Sequence, residues 1–344
     1  MFEMKSKSQL DLTSLNTYLS ANLDGYQGPL EATKFDIGQS NPTFELRTPS
    51  KSYVLRRKPP GVLLKSAHAV EREFRVQRAL TDSAVPVPQM MLLCEDDAVI
   101  GSAFYIMERL QGRVFLEPTM DESDNATRTG VFDEMNRVLA ELHEIDIDAV
   151  GLSDYGPPGN YFERQIARWT KQYRASETST VPEMDTLISA LESSVPDDDG
   201  QRTLVHGDYR IDNLMFEHNG SRCIGVLDWE LSTIGHPNAD LAAVIMQWQL
   251  PPGKEGRGLA GINRRALGIP SDQEFIGQYC QRRGLPNIEN FGFYLAFNFF
   301  RMAGILQGVY KRALDGNASD PKRAQVFGAY VPLFAKHGLA ALES

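Results

Sequence analysis

The 344-residue sequence predicts an α+β protein with two lobes, a small antiparallel-sheet lobe at the amino end and a larger, mainly helical lobe after it. Two observations carry that expectation. Apolar and polar residues alternate with period two in three short runs between positions 33 and 57, whereas beyond position 66 apolar residues recur at helical spacing. Farther on, positions 204–234 gather His206-Gly207-Asp208, Asn213 and Val226-Leu227-Asp228 in one window.

Residues 11–23 read as a short helix, followed by strands over 33–37, 43–47 and 52–57. Two turns join them, Gly38-Gln39-Ser40-Asn41-Pro42 and Thr48-Pro49-Ser50. The backbone N–H groups of Ser40 and Asn41 could hold phosphates, although one glycine there also suits a plain hairpin. Alternation in the third strand sets Tyr53 and Leu55 on one face, Val54 and Arg56 on the other. A helix over 66–80 turns Val70, Glu73, Phe74, Gln77 and Leu80 inward, with Glu71, Arg75 and Arg78 on the wet side. A carboxylate on an apolar stripe needs a cationic partner, and Arg56 is the candidate. A surface Glu73 paired with a neighbouring arginine is the plainer alternative. Residues 104–107 form the last strand of the small lobe and run into Glu108-Arg109-Leu110-Gln111-Gly112. The lobe boundary falls there, giving 1–111 and 112–344.

A helix over 131–143 opens the second lobe. His143-Glu144 lacks a second histidine for zinc, since Ile147 stands in that place, so His143 reads as a packing residue at a helix end. The insert over 151–200 holds a helix on which Arg164, Arg168, Lys171 and Arg174 recur at helical spacing beside Trp169. Such a stripe is either a solvated face or a site for an anionic acceptor. Pro196-Asp197-Asp198-Asp199-Gly200 reads as an acidic linker. The chemistry concentrates in 204–234. Phosphoryl transfer to a hydroxyl needs one carboxylate to take the proton and, a turn later, a carbonyl ligand for magnesium; Asp208 and Asn213 fit those jobs. The apolar run 223–227 delivers a second carboxylate, Asp228, to the metal. Magnesium keeps waters and nucleotide phosphates in its shell, so one or two protein side chains suffice. That order and spacing is the working part of a kinase-like phosphotransferase.

The chain resembles the aminoglycoside phosphotransferase family, a small-molecule branch of the kinase-like fold. The residues that carry the resemblance are Leu204-Val205-His206-Gly207-Asp208-Tyr209-Arg210-Ile211-Asp212-Asn213-Leu214, Val226-Leu227-Asp228-Trp229-Glu230 and Pro237-Asn238-Ala239-Asp240-Leu241-Ala242. It implies ATP, with GTP as the alternative, and Mg2+ as cofactors. Arg56 falls where kinases carry the lysine that pairs nucleotide phosphates, with Glu73 to orient it; arginine offers a wider fork but not the same reach. The resemblance also implies that Glu108 and Leu110 present backbone groups to the adenine edge, and that Asp240, opening a helix over 241–246, braces the catalytic loop. His206 reads as a residue that packs and hydrogen-bonds to hold that loop. Gly207 replaces the arginine with which protein kinases read a phosphorylated activation loop. No docking platform for a protein substrate fits between Asp228 and Asp240, which leaves a small-molecule hydroxyl as acceptor.

Within the family, the insert, Leu55-Arg56-Arg57-Lys58-Pro59-Pro60-Gly61 and Phe300-Arg301-Met302-Ala303-Gly304-Ile305-Leu306-Gln307-Gly308-Val309-Tyr310 resemble a subgroup that includes the kinase-like domains fused to acyl-CoA dehydrogenases. That resemblance implies a hydroxyacyl-CoA as acceptor, with Arg164, Arg168 and Arg301 as candidate contacts. A kinase of an aminoglycoside, choline or another small alcohol is the near alternative. A non-catalytic nucleotide-binding scaffold is the distant one, favoured only by Arg56 in place of lysine.

Composition fits this reading. A chain with 42% hydrophobic and 23% charged residues is ordinary globular material, and a net charge of -10 argues against general binding to nucleic acid or an anionic membrane. Three cysteines, Cys94, Cys223 and Cys280, have no paired metal-ligand spacing and suit a reducing cytoplasm. The longest apolar stretch, 291–310, is interrupted by Asn298, Arg301 and Gln307 and reads as a buried helix rather than a membrane span.

Overall fold

A computed structural model describes residues 10–35, 41–59, 68–316 and 321–343, with side chains from 324 onward in the last segment. The small lobe is a five-stranded antiparallel sheet between two helices. Helix α1 (Leu12–Asn22) starts where the Asp11 side chain accepts the N–H groups of Thr13 and Ser14. The strands are β1 (Glu31–Lys34), β2 (Thr43–Arg47), β3 (Ser52–Arg57), β4 (Met90–Cys94) and β5 (Phe104–Glu108), in the order β1-β2-β3-β5-β4. Alternation divides the sheet as expected. Tyr53, Leu55, Phe104 and Ile106 join Leu15 and Leu19 of α1 in one core, and Tyr105 packs with Val70 and Phe74 of α2 (Val70–Ala79) on the other face. Helix α3 (Asp97–Ile100) is a short turn between β4 and β5.

Strands β2 and β3 have the expected bounds; β1 starts earlier, and the part of its expected run at 36 and 37 lies outside the described residues. So do Gly38, Gln39 and Ser40 of the phosphate-loop candidate, and the first residues of the helix expected from 66. The inward face of α2 is as read, with Val70, Glu73, Phe74, Gln77 and Leu80 all buried.

The second lobe is mostly helical. Its helices are α4 (Asn125–His143), α5 (Tyr161–Ser176), α6 (Pro182–Ser193), α7 (Asn238–Trp248), α8 (Asp272–Arg282), α9 (Phe291–Leu314) and α10 (Pro321–Leu342). One continuous core runs through them, with Phe132, Trp248, Phe275 and Phe297 at its centre. Helix α9 is the buried helix expected from 291–310, and its longest packing partner is α10. Among the described residues no helix is long and apolar enough to cross a membrane.

Five short strands build the floor of the site. Strands β6 (Arg113–Val114), β8 (Leu214–Phe216) and β9 (Cys223–Val226) form one sheet, and β7 (Thr203–Val205) pairs with β10 (Thr233–Gly235). The loop from β7 to β8 carries Asp208 and Asn213, and β9 ends next to Asp228. The lobes meet at this floor: the Val226 N–H donates to the Pro86 carbonyl at 2.8 Å.

Candidate functional site

The loop after β7 is held from several sides before it presents anything. Asp240, in the first turn of α7, is fully buried and accepts the backbone N–H groups of His206 at 2.6 Å and Gly207 at 2.8 Å. Burial pushes its pKa up, but His143, His206 and the Gly207 amide together hold it below the ordinary carboxylate value. The His206 ring lies between two backbone groups: Nε2 donates to the Leu227 carbonyl at 2.9 Å, and Nδ1 accepts the Asp208 N–H at 3.2 Å. That pair fixes the neutral tautomer and ties the loop to the end of β9. Trp229 covers the same ring, with centroids 4.8 Å apart. The expected bracing roles of Asp240 and His206 have this geometry.

Gly207 could not be another residue without strain. Its φ is +82°, and a Cβ would sit 2.6 Å from the Leu231 carbonyl oxygen. The Gly207 carbonyl accepts the Arg301 guanidinium at 2.8 Å, so Arg301, an expected acceptor contact, holds the loop from α9. Asn213 Nδ2 donates to the Asp208 carboxylate at 3.0 Å and to the Asp208 carbonyl at 2.8 Å. With its nitrogen committed to the loop, the amide has its oxygen left to offer a cation.

Asp228 occupies the left-handed region, φ 64° and ψ 61°, which is costly for a non-glycine residue and recurs at functional turns. Its Oδ1 accepts Arg56 NH2 at 2.7 Å. The same guanidinium places Nε 2.8 Å from Glu73 Oε2 and NH2 3.6 Å from Glu230. The inferred Arg56–Glu73 pair is therefore present and buried. Burial pushes the Glu73 carboxyl up to about 7; Arg56 pulls it down, and Asp228 and Glu230 push it up further. Arg56 stays charged: burial opposes its charge, and Glu73, Tyr105, Asp228 and Glu230 together outweigh burial. Asn41 Nδ2 and the Tyr105 hydroxyl also donate to Glu73, at 2.7 and 3.1 Å. The Asn41 side chain is buried and turned to Glu73 and His68; the phosphate expectation for this residue concerned its backbone N–H.

Of these residues, Arg56, Asn213 and Asp228 line a cavity of about 1470 Å³. Arg210 lines it beside them. Val54, Met107, Glu108, Leu110 and Leu227 are among its lining residues. Met302, Leu306, Phe327, Tyr330, Leu333 and Phe334 form an apolar arm between α9 and α10. Asn213 and Asp228 offer the hard oxygens that magnesium takes, and Arg56 the charge that phosphate takes, so this donor set fits a metal–nucleotide complex.

The basic stripe of α5 does not enter this cavity. Arg164 donates to the Pro158 and Gly159 carbonyls at the start of its own helix and lines a separate pocket of about 70 Å³ with His236 and Tyr294. Arg168 is exposed, over the Trp169 ring at 5.7 Å, and Arg174 is paired with Glu177 and Asp185. Asp199, in the expected acidic linker, lies 3.3 Å from His236. His143 packs as read: it is buried, 2.7 Å from the Tyr279 hydroxyl and 3.5 Å from Asp240. Sequence reasoning missed Arg210 and Asp212, which lie between the two motif residues Asp208 and Asn213.

A sheet lobe over a helical lobe, with a carboxylate, an amide and a second carboxylate converging on the cleft between them, defines a kinase-like phosphotransferase. The chain belongs to the phosphotransferase enzyme family, whose sequence pattern matches residues 31–279. Among curated relatives, acyl-CoA dehydrogenase family member 10 of Mus musculus is 45% identical over 314 residues, covering 91% of this chain and 29% of that protein. Family member 11 of Homo sapiens is 42% identical over 346 residues, covering 98% of this chain and 44% of that protein. The chain thus spans less than half the length of these relatives. A crystal structure from Ralstonia eutropha JMP134, named as a candidate aminoglycoside phosphotransferase, is 47% identical with a TM-score of 0.89, covering 97% of this chain and 99% of that one. The aminoglycoside phosphotransferase APH(4)-Ia, solved with AMP-PNP and hygromycin B, shares the fold at 16% identity and a TM-score of 0.61, over 96% of this chain and 98% of that one.

Proposed function

We propose that the chain transfers the γ-phosphoryl group of ATP, with magnesium, to a hydroxyl on an acyl chain carried by coenzyme A. The observation that carries the acceptor is the apolar arm. The cavity that holds Arg56, Asn213 and Asp228 continues between Met302, Leu306, Phe327, Tyr330, Leu333 and Phe334. A hydrocarbon chain gains about 0.8 kcal/mol per buried CH2 in such surroundings, whereas a polycationic aminoglycoside calls for carboxylates. The names of the curated relatives, acyl-CoA dehydrogenase family members, support the same class of acceptor.

In this reading Asp208 accepts the hydroxyl proton as the acceptor oxygen bonds to the γ-phosphorus, and the bond from phosphorus to the β–γ bridging oxygen breaks to release ADP. Asn213 keeps the Asp208 carboxylate oriented through its Nδ2 and offers its oxygen, with Asp228, to magnesium. The ion would neutralise phosphate oxygens between these ligands. Arg56, aimed by Glu73, adds a second positive charge to the nucleotide phosphates. Such catalysis rests on positioning and charge stabilisation. The test is ADP release from ATP and magnesium in the presence of hydroxyacyl-CoAs of increasing chain length, aminoglycosides, choline and simple sugars. Stimulation should be confined to the hydroxyacyl-CoAs and rise with chain length, and Leu306→Arg should abolish the length dependence. Stimulation by an aminoglycoside alone would replace the acceptor proposed here.

A further inference from the structure

We infer that Arg210 is a catalytic residue that contacts the transferring phosphoryl group; this rests on the phosphotransferase reading and adds a group to its machinery. Arg210 lines the same cavity as Asn213 and Asp228. Its Nε is buried and has no hydrogen-bond partner among the described residues; the nearest carboxylate oxygen, Asp208 Oδ1, is 3.6 Å away. At that distance the contact is Coulombic rather than a hydrogen bond. A charged N–H directed beside the base, without an acceptor of its own, awaits one from a ligand.

The rest of the side chain is held as a positioned group would be. Arg210 NH2 donates to Asp212 Oδ2 at 2.8 Å, and Asp212 accepts Arg257 NH1 on the same oxygen at 2.5 Å. The Asp212 side chain is 9% exposed, so this carboxylate is an anchor rather than a solvated charge. Arg257 itself sits at φ 50°, and the Gln247 side chain donates to the Gly256 carbonyl beside it at 2.5 Å. Two elements distant in sequence thus converge to fix one guanidinium. Asp208, Asp212 and Asp228 together hold its positive charge in place against burial.

As the acceptor oxygen forms its bond to the γ-phosphorus and the bond to the bridging oxygen breaks, charge spreads over the three equatorial oxygens of the phosphoryl group. Planar fork geometry suits such a target better than a point charge. A cation beside the Asp208 carboxylate serves both partners of the reaction at once: it lies next to the incoming proton acceptor and to the phosphoryl oxygens. Arg56, committed to Glu73 and Asp228, stands on the nucleotide side; Arg210 stands on the acceptor side.

The experiment compares equilibrium binding of magnesium–ADP with and without aluminium fluoride, which mimics the planar phosphoryl group, in wild type, Arg210→Gln, Arg210→Lys and Asp212→Asn. Each variant is first shown to melt cooperatively. In wild type, fluoride should tighten ADP binding. Arg210→Gln should keep ADP affinity within a few-fold and lose most of that tightening, with Arg210→Lys and Asp212→Asn in between; kcat should fall in the same order while KM for ATP changes little. Full fluoride tightening in Arg210→Gln would overturn the inference and leave the phosphotransferase reading intact. Failure of wild type to bind magnesium–ADP at all would overturn both. Loss of ADP affinity itself in Arg210→Gln would make the residue a ground-state nucleotide contact and overturn the transition-state role.

Discussion

Asp208 is presented by a loop held at several points: Asp240 holds the two preceding amides, His206 its own N–H, and Asn213 one carboxylate oxygen. Removing the carboxylate charge should therefore change the reaction and little else. Asp208→Asn is expected to lower kcat by roughly 10²–10⁴-fold, the usual worth of a positioned general base, with nucleotide affinity within a few-fold by calorimetry. Gly207→Ala is a different kind of change. A Cβ at φ +82° meets the Leu231 carbonyl oxygen at 2.6 Å, so denaturant melts should show a loss of about 1–3 kcal/mol, and turnover should fall with it because Asp208 moves. Asp208, Asn213 and Asp228 could be read from the sequence because the chemistry fixes their types and spacing. Arg210 could not, since its meaning depends on Asp212 and on Arg257, which lies 45 residues beyond Asp212.

Helices α4, α7 and α8 meet at a buried polar knot that stands behind the catalytic loop. His143, at the end of α4, lies between the Tyr279 hydroxyl of α8 and Asp240 of α7. Burial lowers the His143 pKa below its ordinary 6.5 although Asp240 pulls it up, and burial lowers His236 in the same sense. In the unfolded chain both rings take up a proton as pH falls through 6.5, so there the unfolded state binds more protons. Their contribution is thus fully present above about 6.5 and is lost as pH falls below it; the depressed Asp240 acts in a lower window, below its ordinary 3.8. Glu73, whose carboxyl is pushed up to about 7, works the other way in the same window, because there the folded state binds the extra proton. The His143 share is therefore read by difference: from pH 7.5 to 5 the unfolding free energy of His143→Gln should fall less, or rise more, than that of wild type, whatever the substitution's own cost. An unchanged slope would show that His143 is not neutral by burial. The elements themselves were unevenly legible. Strands β2 and β3 alternate cleanly, and α1 has its Asp11 cap, so their bounds follow from local rules. Strand β4 is the apolar run Met90-Met91-Leu92-Leu93-Cys94, which has no period, and it is recognisable only by its pairing with β5. Helix α10 has Pro332 in its interior, which sequence propensity disfavours, and it is kept helical by packing along α9.

Across the whole molecule the two lobes are joined by arginines of the small one. Arg56 of β3 reaches Asp228, and Arg72 of α2 donates to the Tyr155 carbonyl at 2.8 Å and lies 4.0 Å from the centre of the Tyr155 ring. Arg72→Ala should loosen this joint without touching the cleft: the melting temperature is expected to drop by a few degrees, for a loss of about 1–3 kcal/mol, and amide exchange should quicken in α2 before it does in α9. The two-lobed arrangement was legible in the switch from strand to helical period, but the apolar arm was not, because its walls come from α9 and α10 and no local pattern announces that they stand apart. The central claim is that this cleft moves a phosphoryl group from ATP to an acceptor hydroxyl at the far side of Asp208. Mass spectrometry of a reaction of the purified chain with magnesium–ATP and a long-chain hydroxyacyl-CoA tests it most directly. The account predicts a phosphate monoester on the acyl hydroxyl, formed one for one with ADP and absent with Asp208→Asn. An unmodified acyl-CoA, or phosphoester formed equally well by the variant, would contradict it.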